Sequence, residues 1–244
     1  CFWDEPASQM VCMRSLDWSN PMAFADATRL FEHRKGGQLS HYAVGPLGML
    51  GELTVVKPGA FSVVVNWAPG GTAGVLLWGL GGRKAVDSLF VLRALVESHA
   101  ANYEEAVNFL SQQAVAAPIF FTVCGIKKGE ACTIERGPKH TEIRRMGNAA
   151  CLVQTNHYDP QHNNASVNMK NWDDAGPYEP EQWYENKLPV TSGQRRRMIE
   201  KHIEQGLPAW DIYQQEPVWN NESAYWVEMR PANLDQNAVS VWVR

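Results

Sequence analysis

Strand-like and helix-like segments come in blocks along this chain rather than in alternation. Glu52-Leu-Thr-Val-Val56 and Ala60 to Asn66 read as a strand pair joined at Lys57-Pro58-Gly59. Pro58 and Gly59 suit the two central positions of a type II turn, because Pro presets φ and Gly accepts φ > 0. Asp87 to His99 then changes to helical spacing, with Leu89, Leu92, Leu95 and Val96 on one stripe. Asn102-Tyr103-Glu104-Glu105 resembles a capping box opening a second helix, with Ala106, Phe109 and Leu110 inward. After Pro118 strands return at 119–125 and 131–136, around a Lys127-Lys128-Gly129 turn, and at 141–146 and 150–155. Ser192 to Gln205 reads as a helix, and strands at 224–229 and 238–243 follow. This order predicts an α+β fold of antiparallel sheet with segregated helices.

Two segments lack a clear period. Residues 70–82 are apolar and rich in glycine, yet match neither a dinucleotide nor a P-loop fingerprint. They suit an apolar lid, a contact with a membrane or micelle that holds substrate, or burial under a neighbouring subunit. Residues 157–190 are rich in Asn, Pro, Asp and Trp and read as long surface loops inserted in a single domain spanning 1–244.

Composition excludes more than it selects. A net charge of −4 gives no reason to expect nucleic-acid binding, which favours a clustered basic surface. Arg195, Arg196 and Arg197 form the one compact basic run, and three charges suit a solvated helix face. The five cysteines (Cys1, Cys12, Cys124, Cys132 and Cys151) are odd in number and widely spaced, unlike a disulfide framework. There is no Cys-x-x-Cys pair to suggest zinc, and no metal or organic cofactor is implied. The four internal cysteines lie in or beside apolar runs and read as buried hydrophobes. No apolar stretch reaches the roughly 18–20 residues of a transmembrane helix.

Cys1 is the residue with the most chemistry. A cysteine at a free N-terminus holds a thiol nucleophile and, in its α-amine, a base whose reference pKa is about 7.7–8.0. The amine can activate the thiol of the same residue, and thiolate is the reactive form. That pairing is the chemistry of N-terminal nucleophile hydrolases, which cleave amides. The bland alternative is a trimmed terminus that exposes Cys by chance.

Several segments taken together resemble the acid ceramidase and N-acylethanolamine-hydrolysing acid amidase family, N-terminal nucleophile hydrolases related to bile salt hydrolases and penicillin V acylases. They are Cys1 followed by Arg14-Ser15-Leu16-Asp17, then Gly48-Met-Leu-Gly51 leading into Lys57-Pro58-Gly59-Ala60-Phe61-Ser62. Tyr103-Glu-Glu-Ala106, Phe109-Leu-Ser111 and Ala117-Pro118 follow, then Thr133-Ile-Glu-Arg136 and Val153 to Asp159. The likeness covers residues 1–159 well and the remainder weakly. It implies a four-layer αββα fold, cleavage of linear amide bonds, and a mature subunit released by self-cleavage immediately before Cys1. It leaves open whether the upstream segment stays bound as a second subunit. A lysosomal or extracytoplasmic setting and a bacterial periplasm or cytoplasm are equally compatible with these residues.

The resemblance also implies roles. Cys1 is nucleophile and base. Arg14 and Asp17 match the pair near the nucleophile: Asp17 can accept a hydrogen bond from the Cys1 ammonium, and Arg14 can favour the thiolate. Three-residue spacing puts the two on opposite faces of a regular strand, so cooperation requires a strand end or a bulge. Asn156 matches an oxyanion donor, a role worth about 2.7–4 kcal/mol when removed. Arg195, ahead of Arg196, stands for the family's later arginine, with Asp173-Asp174 some distance upstream. His157 is an extra residue read as a satisfied loop histidine. Asn66 and Trp67 occupy a place where the family often has an acidic-centred run, and Trp67 and Ala68 have replaced its glutamate and arginine. Trp3, Trp18, Trp67 and Trp78 are candidates for an acyl-chain pocket, since aromatic walls suit apolar ligands.

Three readings follow. The first is an amidohydrolase acting on N-acyl amides of a fatty or other apolar acid, ceramide-like and N-acylethanolamine-like substrates included. The second is a penicillin or bile-salt amidase, or an acyltransferase, of the same superfamily. The third is a catalytically silent binding protein, which the loss of charge at 67 and 68 keeps open.

Overall fold

Pro58 and Gly59 do turn the chain. Gly59 has φ +76 and the Ala60 amide donates to the Lys57 carbonyl at 3.0 Å, closing the turn between β5 (Thr54–Lys57) and β6 (Phe61–Trp67). The computed structural model describes residues 1–68, 86–137, 140–158 and 188–244, without the side chains of 188–191.

The remaining elements are β1 (Phe2–Asp4), β2 (Gln9–Asp17), α1 (Pro21–Ala27), β3 (Thr28–Lys35), β4 (Gln38–Pro46), α2 (Ser88–Glu97) and α3 (Tyr103–Gln112). After these come β7 (Ile119–Cys124), β8 (Ala131–Gly137), β9 (His140–Arg145), α4 (Leu188–Glu204), α5 (Ala209–Tyr213), β10 (Ser223–Met229) and β11 (Val239–Val243). Two sheets result. One runs β3-β4-β5-β6-β7-β8-β9 as a meander, the other β1-β2-β10-β11, and the pairings within both are antiparallel.

Alternation along each strand assigns the layers. Val63 and Val65 point to a core shared with Leu92, Leu95, Ala106 and Leu110 of α2 and α3. Val64, Val56 and Cys124 point the other way, to a core shared with Met10, Cys12, Tyr225 and Val227 of the smaller sheet. Buried on both faces, β6 reads as a nearly unbroken apolar run. Outside the smaller sheet, Ile199 of α4 and Ile212 of α5 pack with Val153 and Val218. The layer order is helices, large sheet, small sheet, helices: the αββα sandwich.

Two of the three predicted helices begin as read, whereas the one expected from Ser192 opens at Leu188, within the stretch read as loops. Asp87 Oδ1 accepts from the Leu89 amide at 2.9 Å. Asn102 Oδ1 accepts from the Glu105 amide at 3.0 Å, while Glu105 reaches back to the Ala101 amide at 2.8 Å, so two orphan donors of the first turn are satisfied. A strand prediction also needs correction. Residues 150–155 do not form a strand: Cys151 makes an isolated bridge with Phe2, Leu152 exchanges backbone bonds with Cys1, and side chains hold the rest. Arg144 Nη2 donates to the Val153 carbonyl at 2.9 Å and to Gln154 Oε1 at 2.8 Å, taking the place of a ladder.

Leu95 is fully buried between α2 and the large sheet. Leu95→Ala should destabilise the protein by about 2–5 kcal/mol, the range for such truncations. Urea unfolding checks this, and a loss below about 1 kcal/mol would mean that the helix layer is loosely packed.

Candidate active site

Cys1 is fixed by the segment that failed to become a strand. Its α-ammonium donates to the Leu152 carbonyl at 2.7 Å, and the Leu152 amide donates to the Cys1 carbonyl at 2.8 Å. These reciprocal bonds set the residue at the wall of a cavity of about 70 Å³ between the sheets and α4. Arg14, Asn66, Thr155 and Arg195 share that wall. The ammonium therefore meets a backbone carbonyl rather than Asp17.

Arg14 lies on the face of β2 that packs against the large sheet. Only 5% exposed, its Nη1 donates to the Leu53 carbonyl at 2.8 Å and to Thr54 Oγ1 at 2.5 Å. The guanidinium carbon stands 6.0 Å above the Tyr225 ring. Its Nε is buried without a hydrogen-bond partner.

Asp17 is the last residue of β2, and β10 carries an irregular register between Ser223 and Tyr225 opposite it. That is the strand end that joint action with Arg14 requires. The carboxylate accepts from Arg195 Nη1 at 2.9 Å, Asn220 Nδ2 at 3.0 Å, Ser223 Oγ at 2.8 Å and Ser15 Oγ at 3.3 Å. Arg195 Nη2 continues to Asn156 Oδ1 at 3.0 Å, and Asn156 Nδ2 donates to the Trp67 carbonyl at 3.0 Å. One of the two Asn156 amide hydrogens is thus engaged by the backbone. Arg196 pairs instead with Glu200 at 2.9 Å on its own helix, so Arg195 is the arginine that faces inward.

A second cavity, about 260 Å³, adjoins the first. Arg14, Ser15, Asn66 and Arg195 line both; Asp17, Trp18, Trp67 and Asn156 belong to the second. Trp18 and Trp67 therefore flank one hollow, as an acyl wall requires. Trp3 does not join them: it borders a separate groove with Phe2, Met146, Leu207 and Trp210. Trp78 and Asp173-Asp174 lie outside the described residues, as do the 70–82 segment and nearly all of 157–190.

His157 is a buried histidine whose Nδ1 sits 3.0 Å from Thr155 Oγ1 and 2.9 Å from Ser192 Oγ. Ser192 Oγ also accepts from the Asn156 amide at 2.7 Å. This small network holds Asn156 in place, and sequence reading missed Thr155 and Ser192 as its members. It also missed Leu152, Asn220 and Ser223. Leu152 acts through its backbone, and Ser192, Asn220 and Ser223 reach partners at least 35 residues away, so none of these four has a local signature; Thr155 meets His157 only two residues on.

The thiols differ sharply in setting. Burial pushes the Cys12, Cys124 and Cys151 thiols up, and Cys132 up to about 11. Cys12, Cys124 and Cys132 are buried as well as hard to ionise.

Residues 82–222, more than half of the chain, match the acyl-coenzyme A:6-aminopenicillanic acid acyl-transferase family. The chain belongs to that family. It is 39% identical over 97 residues to an acid ceramidase of Balaenoptera acutorostrata scammoni, covering 38% of this chain and 24% of that protein. To the acid ceramidases of Bos taurus and Homo sapiens it is 36% and 35% identical over 117 residues, covering 45% of this chain and 29% of theirs. The matched stretch thus spans less than a third of these relatives' length. Among solved structures, the Caenorhabditis elegans ortholog of N-acylethanolamine-hydrolyzing acid amidase superposes with a TM-score of 0.70 at 21% identity, over 98% of this chain and 96% of that one. At that identity the match establishes the shared fold. The resemblance read from the sequence is borne out.

The side chains of Asp17 and Arg195 are 15% and 11% exposed. Asp17→Ala strips an acceptor from three other elements and should cost about 3–5 kcal/mol, as breaking a buried pair does. Arg195→Ala leaves Asp17 with Asn220 and Ser223 and should cost less. Urea unfolding of both variants checks the order; the reverse order would remove Asp17 as the hub. In thiol labelling at neutral pH followed by peptide mapping, Cys1 should react first and Cys12, Cys124 and Cys132 only on unfolding.

Proposed function

We propose that the chain is an amidohydrolase that cleaves the linear C–N bond of N-acyl amides with an apolar acyl group, with Cys1 as nucleophile. The observation that carries this reading is the cavity wall on which Cys1, Arg14 and Arg195 meet. The Cys1 thiol proton passes to the α-amine of the same residue, which the Leu152 carbonyl orients. The sulfur bonds to the amide carbon; the C–N bond breaks, and the amine leaves with that proton. Water then attacks the thioester, the S–C bond breaks, and the carboxylic acid departs as the thiol is restored.

Arg14 supplies positive charge beside the developing thiolate and oxyanion. Asn156, steered by Arg195 and the Trp67 carbonyl, is the side-chain donor toward the oxyanion through its remaining amide hydrogen. Asp17 is a positioning residue: it sets Arg195, which sets Asn156. Asn66, Trp18 and Trp67 line the hollow for the acyl group. We read the chain as one domain with an insertion at 157–190 that runs into the first turn of α4. Within the same superfamily, transfer to an amine acceptor or cleavage of a penicillin or bile-salt amide is the alternative.

The test is acid release from a ceramide, an N-acylethanolamine, a bile-salt conjugate and penicillin V, each from acidic to neutral pH. Lipid acid should appear with the wild type and fall by about a thousandfold or more in Cys1→Ala. Turnover of penicillin V or the bile-salt conjugate alone would select the alternative. A folded wild type with free Cys1 that turns over nothing would overturn the amidase reading.

A further inference from the structure

β3 and β4 meet in a two-residue turn at Gly36 and Gly37, whose φ values of +59 and +82 suit a tight hairpin loop. Just beyond it, His33 and His41 face each other across the strand pair. Their imidazoles stack with centroids 4.3 Å apart and planes 8° from parallel. Glu52, ahead of β5, brings Oε1 to 3.7 Å from His33 Nε2. One donor atom from each residue lies within 4.8 Å of the other two.

This cluster is not an ordinary polar surface group. His41 is 3% exposed and its Nε2 is buried with no hydrogen-bond partner, and Glu52 is 7% exposed. Buried polar atoms are normally satisfied, and two imidazoles with a carboxylate are a zinc donor set. Zinc binds imidazole in its neutral form and carboxylate in its ionised form, the donor chemistry that these three side chains offer. Three of the neighbouring cations, Arg34, Lys57 and Arg93, have acceptors of their own. Arg93 Nε donates to Glu97 at 2.9 Å, and the Lys57 ammonium donates to the Ala100 carbonyl at 2.6 Å. A cavity of about 520 Å³ beside His33 and His41 gives access from solvent; Arg34, Lys35, Lys57 and Arg93 also line it, with Glu97 as its acidic member.

We propose that His33, His41 and Glu52 form a divalent transition-metal site, with zinc the favoured ion, that clips the β3–β4 edge of the large sheet to the segment entering β5. Zinc–nitrogen bonds of about 2.0–2.1 Å place tetrahedral donors about 3.4 Å apart, so the three must draw together by about an ångström and His33 must turn out of the stack, since the in-plane lone pairs of parallel rings do not converge. His33, whose side chain is 32% exposed, has the freedom to do so. A fourth position is left to water from the cavity. None of the three residues lines the Cys1 cavity, so the ion has a structural place rather than a catalytic one. Glu52 is, however, the residue before Leu53, whose carbonyl holds Arg14. The clip would steady that carbonyl.

Zinc is titrated into chelator-treated protein by calorimetry, with thermal unfolding in parallel. One equivalent should bind with a Kd of about 1 μM or tighter and raise Tm. His33→Ala and Glu52→Gln, checked for folding by circular dichroism, should each weaken binding by at least about tenfold and abolish the Tm gain. Cobalt distinguishes this site from the Cys1 thiol: its spectrum should lack a thiolate charge-transfer band and persist in Cys1→Ser. Anomalous scattering at the zinc edge from wild-type crystals places the ion without any variant. Absence of stoichiometric binding, binding unchanged in both variants, loss in Cys1→Ser, or an anomalous peak elsewhere would each overturn the proposal.

Discussion

The carboxylate of Asp17 is where the layers of this sandwich are tied together at the site. It ends β2 and takes hydrogen bonds from α4 through Arg195, from the segment before β10 through Asn220, and from β10 itself through Ser223. Through Arg195 the same network reaches Asn156 and then the backbone at the end of β6. Charge makes these bonds strong, since hydrogen bonds to ionised groups are worth roughly twice neutral ones. Little water reaches the pair, so screening is weak. Asn156 is consequently placed by a chain of contacts that begins on the opposite sheet.

Arg14 follows a different logic. A buried guanidinium is costly unless its donors are used, and Nη1 uses two acceptors from the large sheet while Nε has none. A positive group held rigidly with unused hydrogen-bonding capacity at a cavity wall is disfavoured for stability alone. In the mechanism proposed above, it would meet negative charge that exists only during the reaction. The reciprocal Cys1–Leu152 bonds hold Cys1 at both its nitrogen and its carbonyl.

What the sequence made legible was local. The Lys57–Ala60 turn and the caps at Asp87 and Asn102 involve residues within a few positions, so turn and cap chemistry suffices to find them. β3 was not read: it is an edge strand with Arg29, Glu32, Arg34 and Lys35 exposed, and its charges obscure the alternation. The 150–155 run has strand composition but faces the chain's own first residues, and it pairs with them through one bridge instead of a ladder. For the site, Cys1, Arg14, Asp17, Asn156 and Arg195 were all nameable from motifs. Their connection was not, because the Asp17 contacts join residues 178 to 206 positions apart. Periodicity carries no information at that range. The β10 irregularity that reconciles Arg14 with Asp17 likewise depends on strand pairing, which only the folded chain defines.

The replacement of charge at positions 67 and 68 looks, in sequence, like the loss of a working part. In the fold, the contact that position 67 makes with the site is its backbone carbonyl, the acceptor of Asn156 Nδ2, which any side chain provides. The Trp67 side chain is 50% exposed beside the outer hollow, where it adds apolar surface without disturbing that bond. Ala68 is fully buried against Phe120 and Tyr158, next to the buried Glu135 that pairs with Phe120 across β7 and β8. The two changes therefore go together: one wall becomes apolar while the anchoring of Asn156 is preserved. The Trp67–Asn156–Arg195–Asp17 chain tolerates both changes, because its bond at position 67 is made by the backbone.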